Sequence, residues 1–147
     1  KVPIVVKISP DVSENQVQQI SEILLKYQVK AIIVSNTTEG NRENLQNTSK
    51  HQKGGLSGKP LELKSNQLIN KFYNLLKNKI DIIGVGGVDS GESAYNKFLA
   101  GANYIQLYTG MVFQGPNIVV KIKKELKKLL IHDGVKNFKE IVGKNNN

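Results

Sequence analysis

The sequence lacks cysteine altogether and has two histidines, His51 and His132, among its 147 residues. Without cysteine the chain holds no disulfide, no thiolate zinc site and no cysteine nucleophile. Two histidines far apart in the chain do not predict a metal site. No apolar run approaches the roughly 20 residues of a membrane span. The opening Lys1-Val2-Pro3 has neither an initiator methionine nor a signal peptide, so we expect a piece of something longer.

Catalytic constellations of the common hydrolases and kinases are also missing. The sequence contains no pair of carboxylates at a suitable spacing, no Ser-His-Asp set and no P-loop. Hydrolysis and phosphoryl transfer therefore have no residues to carry them.

The net charge of +9 would allow binding to nucleic acid or to an anionic membrane. The densest basic run is VVKIKKELKKLL, in which Lys121, Lys124 and Lys128 alternate with an apolar face. This is typical of a solvated surface helix, and no aromatic residues stand among the lysines to stack on bases. We expect no nucleic-acid partner. The apolar face is predicted to hold Val119, Ile122, Leu126, Leu129 and Leu130.

Short apolar runs rich in β-branched residues alternate with helical patterns along the chain. Residues 4–8, 31–36, 81–86 and 104–108 are predicted strands, buried on both faces. Residues 13–27, 65–77, 90–100 and 117–131 are predicted helices, and VKNFKEIVG is predicted to form a short last one. The first helix has a capping box, Ser13 and Gln16, and an apolar face of Val17, Ile20, Ile23 and Leu24. Ser90 is the predicted N-cap of the third helix, and Gly101 stands just after its end, where a left-handed residue is expected.

This alternation predicts an α/β fold with right-handed crossovers and a parallel sheet. Two architectures accept it: a complete open sheet, or the C-terminal half, about four βα units, of a (β/α)8 TIM barrel. In both, ligands bind at the carboxyl ends of the strands. There the sequence places Lys7, Ser35-Asn36-Thr37, Gly86-Gly87 and Tyr108-Thr109.

Each of these groups also has an ordinary structural explanation. Lys7 stands in an apolar strand, where a charge needs a partner unless it reaches solvent. Asn36 and Thr37 could simply begin a turn. The polar segment 39–53 is either a functional loop or a tolerated insertion, and it leads into GGLSGKPL, where Ser57 and Gly58 offer a hydroxyl and an unshielded N–H.

The stretch IIGVGGVDSG places three glycines after a strand. It is not the dinucleotide fingerprint, because Asp89 stands where the third glycine should be. In a barrel, loops after the last two strands bind phosphate, so Gly86-Gly87 and Tyr108-Thr109 are candidates for one phosphate site.

Five motifs in order, VVKISPD, IIVSNTT, GGLSGKPL, IIGVGGVDSGESA and GANYIQLYTG, resemble the C-terminal half of the dihydroorotate dehydrogenase family, in its quinone-dependent class. The resemblance runs from Val2 to about Gly143, and implies a half-barrel over 1–143 with a polar tail at 144–147. It implies an FMN oxidoreductase that oxidises dihydroorotate to orotate, with quinone as electron acceptor, in pyrimidine biosynthesis.

The resemblance also assigns roles to residues. Those implied to bind FMN are Lys7, Ser35, Asn36, Ser57, Gly58, Gly86, Gly87, Leu107, Tyr108 and Thr109; those implied to hold the substrate are Asn36 and Thr37. In this class the catalytic base is a serine on an upstream loop, so we expect no catalytic residue in this chain.

We expect the isolated chain to be inactive for that reason. The full enzyme would be peripheral to an inner membrane, bacterial or mitochondrial, through an N-terminal region outside this chain. Two alternatives remain open: a non-catalytic half-barrel that binds a phosphate or flavin, and a decayed truncated product.

Overall fold

The computed structural model describes residues 2–40, 42–43 and 45–146. The predictions for Lys1, for Asn147 and for Asn41 and Asn44 of the long loop lie outside the described residues.

The described residues form one parallel sheet of four strands in the order β1-β2-β3-β4. The strands are β1 (Val5–Ile8), β2 (Ala31–Val34), β3 (Asp81–Val85) and β4 (Tyr104–Gln106), each shorter than its predicted run. Lys7 is level with Ile33 on β2. Ile33 is in turn level with Ile83 on β3, and Ile83 with Tyr104 on β4.

Helices connect the strands where the apolar pattern predicts them. They are α1 (Glu14–Lys26), α2 (Glu62–Leu76) and α3 (Gly91–Ala100), followed after β4 by α4 (Thr109–Gln114) and α5 (Ile118–His132). The predicted capping box of α1 is confirmed: the Ser13 hydroxyl accepts from the Gln16 N–H, and the Gln16 side chain accepts from the Ser13 N–H. Ser90 caps α3, and Gly101 ends it in the left-handed conformation, with φ of 118°.

Short pieces of structure differ from the sequence predictions. Helix α4 was not predicted, because six residues give too little periodicity to detect. The long loop contains a 3-10 turn at Thr48–His51, and the predicted last helix is a 3-10 turn at Phe138–Ile141. A further 3-10 turn, Lys144–Asn146, lies within the predicted polar tail.

Two predicted apolar faces are partly wrong. Ile23 of α1 is 55% exposed, because it follows Val17 by six residues and so turns away from the stripe formed by Val17 and Leu24. Val119 of α5 is exposed as well, since Ile118 and Ile122 form the buried stripe. The three lysines predicted on the solvated face of α5 are all exposed, as expected.

The hydrophobic core lies between the sheet and the helices. Ile32 and Ile82 of the central strands pack with Ile69, Phe72 and Leu76 of α2, and all five are almost completely buried. A smaller cluster of Val88, Ala94, Ile118 and Ile122 joins α3 to α5.

The sequence predicted strands that are buried on both faces. In the structure, one face of the sheet is exposed. Val5 is 42% exposed and Tyr104 56% exposed, on the face opposite the core, and Lys7 is exposed there too. The reason is topological: successive right-handed crossovers that always move to the next strand place every helix on the same side of the sheet. A doubly wound sheet would have helices on both faces, so this arrangement is that of a barrel sector.

Among the described residues, no helix is long and apolar enough to cross a membrane.

Candidate functional site

A cavity of about 610 Å³ opens at the carboxyl edge of the sheet, lined by Lys7 of β1 and by segments that follow β2, β3 and β4. Every residue predicted from the sequence to bind the cofactor or the substrate lines this cavity. These are Lys7, Ser35, Asn36, Thr37, Ser57, Gly58, Gly86, Gly87, Leu107, Tyr108 and Thr109. The volume is in the range of pockets that hold small molecules or cofactors. What each residue does there remains a prediction.

The glycine turn after β3 forms one wall of the cavity. Gly86 and Gly87 have φ of 114° and 75°, a region that residues with a side chain rarely adopt. A Cβ built on Gly87 would lie 2.4 Å from the Cβ of Glu62 and 2.7 Å from its Cα. Glycine is therefore required at this position by conformation and by close packing against the start of α2.

The β4–α4 turn and the GGLSGKPL segment also meet at the cavity. The Thr109 hydroxyl donates to the Ser57 hydroxyl oxygen over 3.0 Å. Gly58 has φ of 79°, and a Cβ there would lie 3.0 Å from Cγ2 of Thr109. Two motifs more than fifty residues apart in sequence thus share one wall.

Lys7 lies on the sheet face that the helices leave uncovered. The sequence raised the alternatives of a buried, paired charge and a side chain that reaches solvent, and the structure has it exposed at the cavity. An exposed ammonium keeps its hydration, so no buried partner is needed to offset a desolvation penalty.

A second cation, Lys59, lines the cavity and was missed from the sequence, although it follows Ser57-Gly58 directly. Its Nζ lies 2.6 Å from Glu62 Oε2 and 3.7 Å from Asp89 Oδ1. The hydrogen bond to Glu62 raises the pKa of Lys59, with a further contribution from Asp89. Asp89 is the acidic residue among the described lining residues, and Lys59 offsets its charge.

A polar cluster around Asp11, not predicted from the sequence, holds the loop after β2. The Thr38 hydroxyl donates to Asp11 Oδ1 over 2.5 Å, and the Glu39 N–H donates to Asp11 Oδ2 over 2.9 Å. Lys64 of α2 also bonds to Asp11. Burial opposes the charge of Asp11, but the hydrogen bonds from Lys64 and Thr38 prevail and lower its pKa to about 2. This cluster fixes the residues that follow Asn36 and Thr37.

Helix α4 adds Phe113 and Gln114 to the cavity wall. The Gln114 side chain donates to the carbonyl of Asp89 over 3.1 Å, which ties α4 to the turn after β3. Phe113 is 84% exposed, so this part of the lining is an exposed apolar ring. Neither residue was predicted as a site residue, because α4 is too short to give a helical pattern.

The chemistry of the lining suits a ligand with an anionic end. Glycine backbone at Gly86 and Gly87, the ammonium of Lys7 and several hydroxyls can bind a phosphate or carboxylate. The described lining residues offer no histidine, cysteine or glutamate as a general base. Parallel βα units with helices on one face and a ligand cavity at the carboxyl edge define a sector of a (β/α)8-barrel protein.

Known proteins that resemble this chain belong to the same fold class and to one enzyme family within it. A family model described as dihydroorotate dehydrogenase matches residues 1–130. A mitochondrial dihydroorotate dehydrogenase (quinone) of Arabidopsis thaliana is 42% identical over 142 residues, which cover 96% of this chain and 31% of that protein. A dihydroorotate dehydrogenase (quinone) of Idiomarina loihiensis is 45% identical over 125 residues, covering 85% of this chain and 37% of the relative.

A solved structure shows the same fold. The crystal structure of dihydroorotate dehydrogenase from Eimeria tenella in complex with ferulenol superposes with a TM-score of 0.94 and 33% identity, covering 99% of this chain and 39% of that one. This chain belongs to the dihydroorotate dehydrogenase family. It spans between 31% and 39% of the length of these three relatives. Membership of the family implies a flavin cofactor in general.

Proposed function

We propose that this chain supplies the flavin- and substrate-binding carboxyl edge of a quinone-dependent dihydroorotate dehydrogenase. The enzyme would oxidise dihydroorotate to orotate in pyrimidine biosynthesis, with FMN as cofactor and quinone as electron acceptor. One observation supports this most strongly: the residues assigned by motif, which lie on β1 and on the connections that follow β2, β3 and β4, all line one cavity.

The proposed cofactor site has an anion-binding end and a cationic side. Backbone N–H groups of Gly86, Gly87 and Thr109 would bind the phosphate of FMN, because bare backbone can approach an anion closely. The chemistry that bound FMN would supply is the acceptance of a hydride. The ammonium of Lys7, exposed at the cavity, would favour the more electron-rich reduced flavin through its positive charge.

The proposed substrate contacts come from the loop after β2. The amide of Asn36 and the hydroxyl of Thr37 would hydrogen-bond dihydroorotate and orient it, and the Asp11 cluster would keep that loop in place. The base that removes the companion proton is a serine outside this chain, according to the family resemblance. We therefore expect the isolated 147-residue chain not to reduce a dye with dihydroorotate, and reduction by the pure chain would contradict this assignment.

Membrane association belongs to the proposal as well. A quinone acceptor resides in a membrane, and one relative is named as mitochondrial. We propose a peripheral protein of an inner membrane, attached through a region outside these 147 residues.

A chimera tests the proposed function directly. In it, this chain replaces the matched portion of the relative from Idiomarina loihiensis, so that the remaining barrel is supplied by a homologous protein. We expect the purified chimera to carry FMN and to oxidise dihydroorotate with a soluble quinone. A folded, FMN-loaded chimera without this activity would refute the proposal.

Replacement of Lys7 tests the assignment of a single residue. Lys7→Met in the chimera should release FMN or slow its reduction by dihydroorotate by at least about tenfold, because a charge contact worth roughly 1.5–3 kcal/mol is lost. The matched control is Lys71→Met, which removes an exposed lysine paired with Glu14 away from the cavity. Unchanged flavin content and single-turnover rate in Lys7→Met would reject Lys7 as a flavin contact.

A further inference from the structure

Lys97 of α3 is a buried lysine that the proposed function does not use. Its side chain is completely inaccessible to solvent, and it does not line the cavity. The aliphatic stem packs against β3, where a Cβ built on Gly84 would lie 3.1 Å from Cδ of Lys97. Burying an ammonium group is unfavourable unless it is hydrogen-bonded, so the partners of Nζ need an explanation.

Two neutral side chains of α2 receive the hydrogen bonds of Lys97. Nζ donates to Asn66 Oδ1 over 2.8 Å and to Ser65 Oγ over 3.1 Å. In the described part of the chain, no carboxylate lies within ion-pair distance of Nζ. Burial lowers the pKa of Lys97 to about 7, with an opposing contribution from the charge of Glu62. The neutral amine still has two N–H groups, which suffices for both bonds.

The chain of hydrogen bonds continues from Ser65 to the end of β3. The Ser65 hydroxyl donates to the carbonyl oxygen of Val85 over 2.5 Å. Because a hydroxyl has one proton, Ser65 must accept from Lys97, and this fixes the direction of the relay. The same carbonyl accepts from the Ser35 N–H over 3.2 Å, across the ends of β2 and β3.

The Val85 carbonyl therefore joins both halves of the candidate site. Val85 precedes Gly86 and Gly87, and Ser35 precedes Asn36 and Thr37. Ser65 also touches the glycine turn from below, since a Cβ on Gly86 would lie 3.3 Å from the Cβ of Ser65.

We propose that Lys97 is a positioning residue: acting through Ser65, it holds the Val85 carbonyl and thereby sets the backbone of the glycine turn and of Ser35 for ligand binding. The flavin part of this inference rests on the proposed function. A buried charge replaced by an apolar side chain of similar length is often neutral or favourable for stability. The lysine is thus better explained by the geometry of the site than by the stability of the core.

Lys97→Met removes the donor and keeps an unbranched side chain against Gly84. The first measurement needs no flavin: hydrogen exchange of the Ser35, Gly86 and Gly87 amides in the 147-residue chain, followed by NMR. We expect the Ser35 amide to exchange at least about tenfold faster in Lys97→Met, because a change of 1.4 kcal/mol in local opening corresponds to a factor of ten. The matched control, Lys71→Met, should leave all three amides unchanged.

The second measurement is a double-mutant cycle on FMN affinity. Lys97→Met and Ser65→Ala should each raise the dissociation constant about tenfold, and the double variant should bind no more weakly than Ser65→Ala alone, since both act through one link. Urea unfolding of each variant separates this effect from a loss of stability. If Lys97→Met does not fold, Ser65→Ala with Lys97 intact takes its place in the exchange measurement.

Each outcome decides the inference. Wild-type exchange at Ser35 in a folded Lys97→Met, or additive effects of the two substitutions on FMN binding, would overturn it. If the wild-type chain binds no FMN, the cofactor assignment fails for the isolated chain, and the amide exchange alone decides the role of Lys97.

Discussion

Gly87→Ala is the substitution for which the structure gives the clearest magnitude. With φ of 75°, an alanine here is in the left-handed region, which disfavours a residue with a Cβ by roughly 1–2 kcal/mol. The new Cβ would also lie 2.4 Å from the Cβ of Glu62 and 2.7 Å from its Cα. Backbone cannot rotate away as a side chain can, so overpacking adds roughly 1–3 kcal/mol. We expect a total loss of roughly 2–5 kcal/mol in the free energy of unfolding.

Gly134→Ala separates the two contributions. Gly134, after α5, has φ of 68°, and a Cβ there would meet nothing within 4 Å. It therefore bears the conformational cost without the clash. Urea unfolding of both variants measures the difference, which we expect to be roughly 1–3 kcal/mol in the direction of a less stable Gly87→Ala. Equal losses in the two variants would refute the close approach of the glycine turn to α2.

Two further predictions concern pH and stability. The lowered pKa of Asp11, about 2 instead of 3.8, stabilises the fold above pH 3.8, and this contribution is lost as the pH falls toward 2. Asp11→Asn should lower the free energy of unfolding at neutral pH by about 1–2 kcal/mol, and the variant should lose less stability than the wild type as the pH falls. Urea unfolding measured against pH checks both expectations. Identical dependence of stability on acid pH in the two proteins would contradict the role of Asp11. Folding lowers the pKa of Lys97 from 10.5 to about 7, so between pH 7 and 10.5 the unfolded chain binds more protons than the folded chain. The free energy of unfolding should therefore rise with pH in this range, by at most about 1.4 kcal/mol per pH unit. Lys97→Met should lack that rise in the same measurement, and equal slopes in the two proteins would contradict the burial of the amine.

The elements that the sequence predicted well are those specified by local signals. The capping residues Ser13 and Ser90 and the left-handed Gly101 act within one helical turn, so their spacing is legible in the chain. The meeting of distant loops at one cavity was predictable for a different reason: the carboxyl ends of parallel strands share one edge of the sheet.

Features that depend on tertiary contacts were not predictable in the same way. The bond between Thr38 and Asp11 joins residues 27 positions apart, and that between Lys97 and Ser65 joins residues 32 apart. No periodicity encodes either pair. Likewise, the exposure of Lys7 and Tyr104 follows from which sheet face the helices cover, which an apolar strand pattern does not specify.

The central claim, that the carboxyl edge of this chain binds the phosphate end of a flavin nucleotide, is tested most directly by comparing FMN with riboflavin. The two ligands share the flavin ring and differ in the phosphate, so their affinities for the purified 147-residue chain, measured by fluorescence titration, isolate the proposed anion site. The account predicts that FMN binds at least about tenfold more tightly, a difference of 1.4 kcal/mol or more, and that Gly87→Ala reduces this preference. Equal affinity for the two ligands, or a preference unchanged in Gly87→Ala, would contradict it.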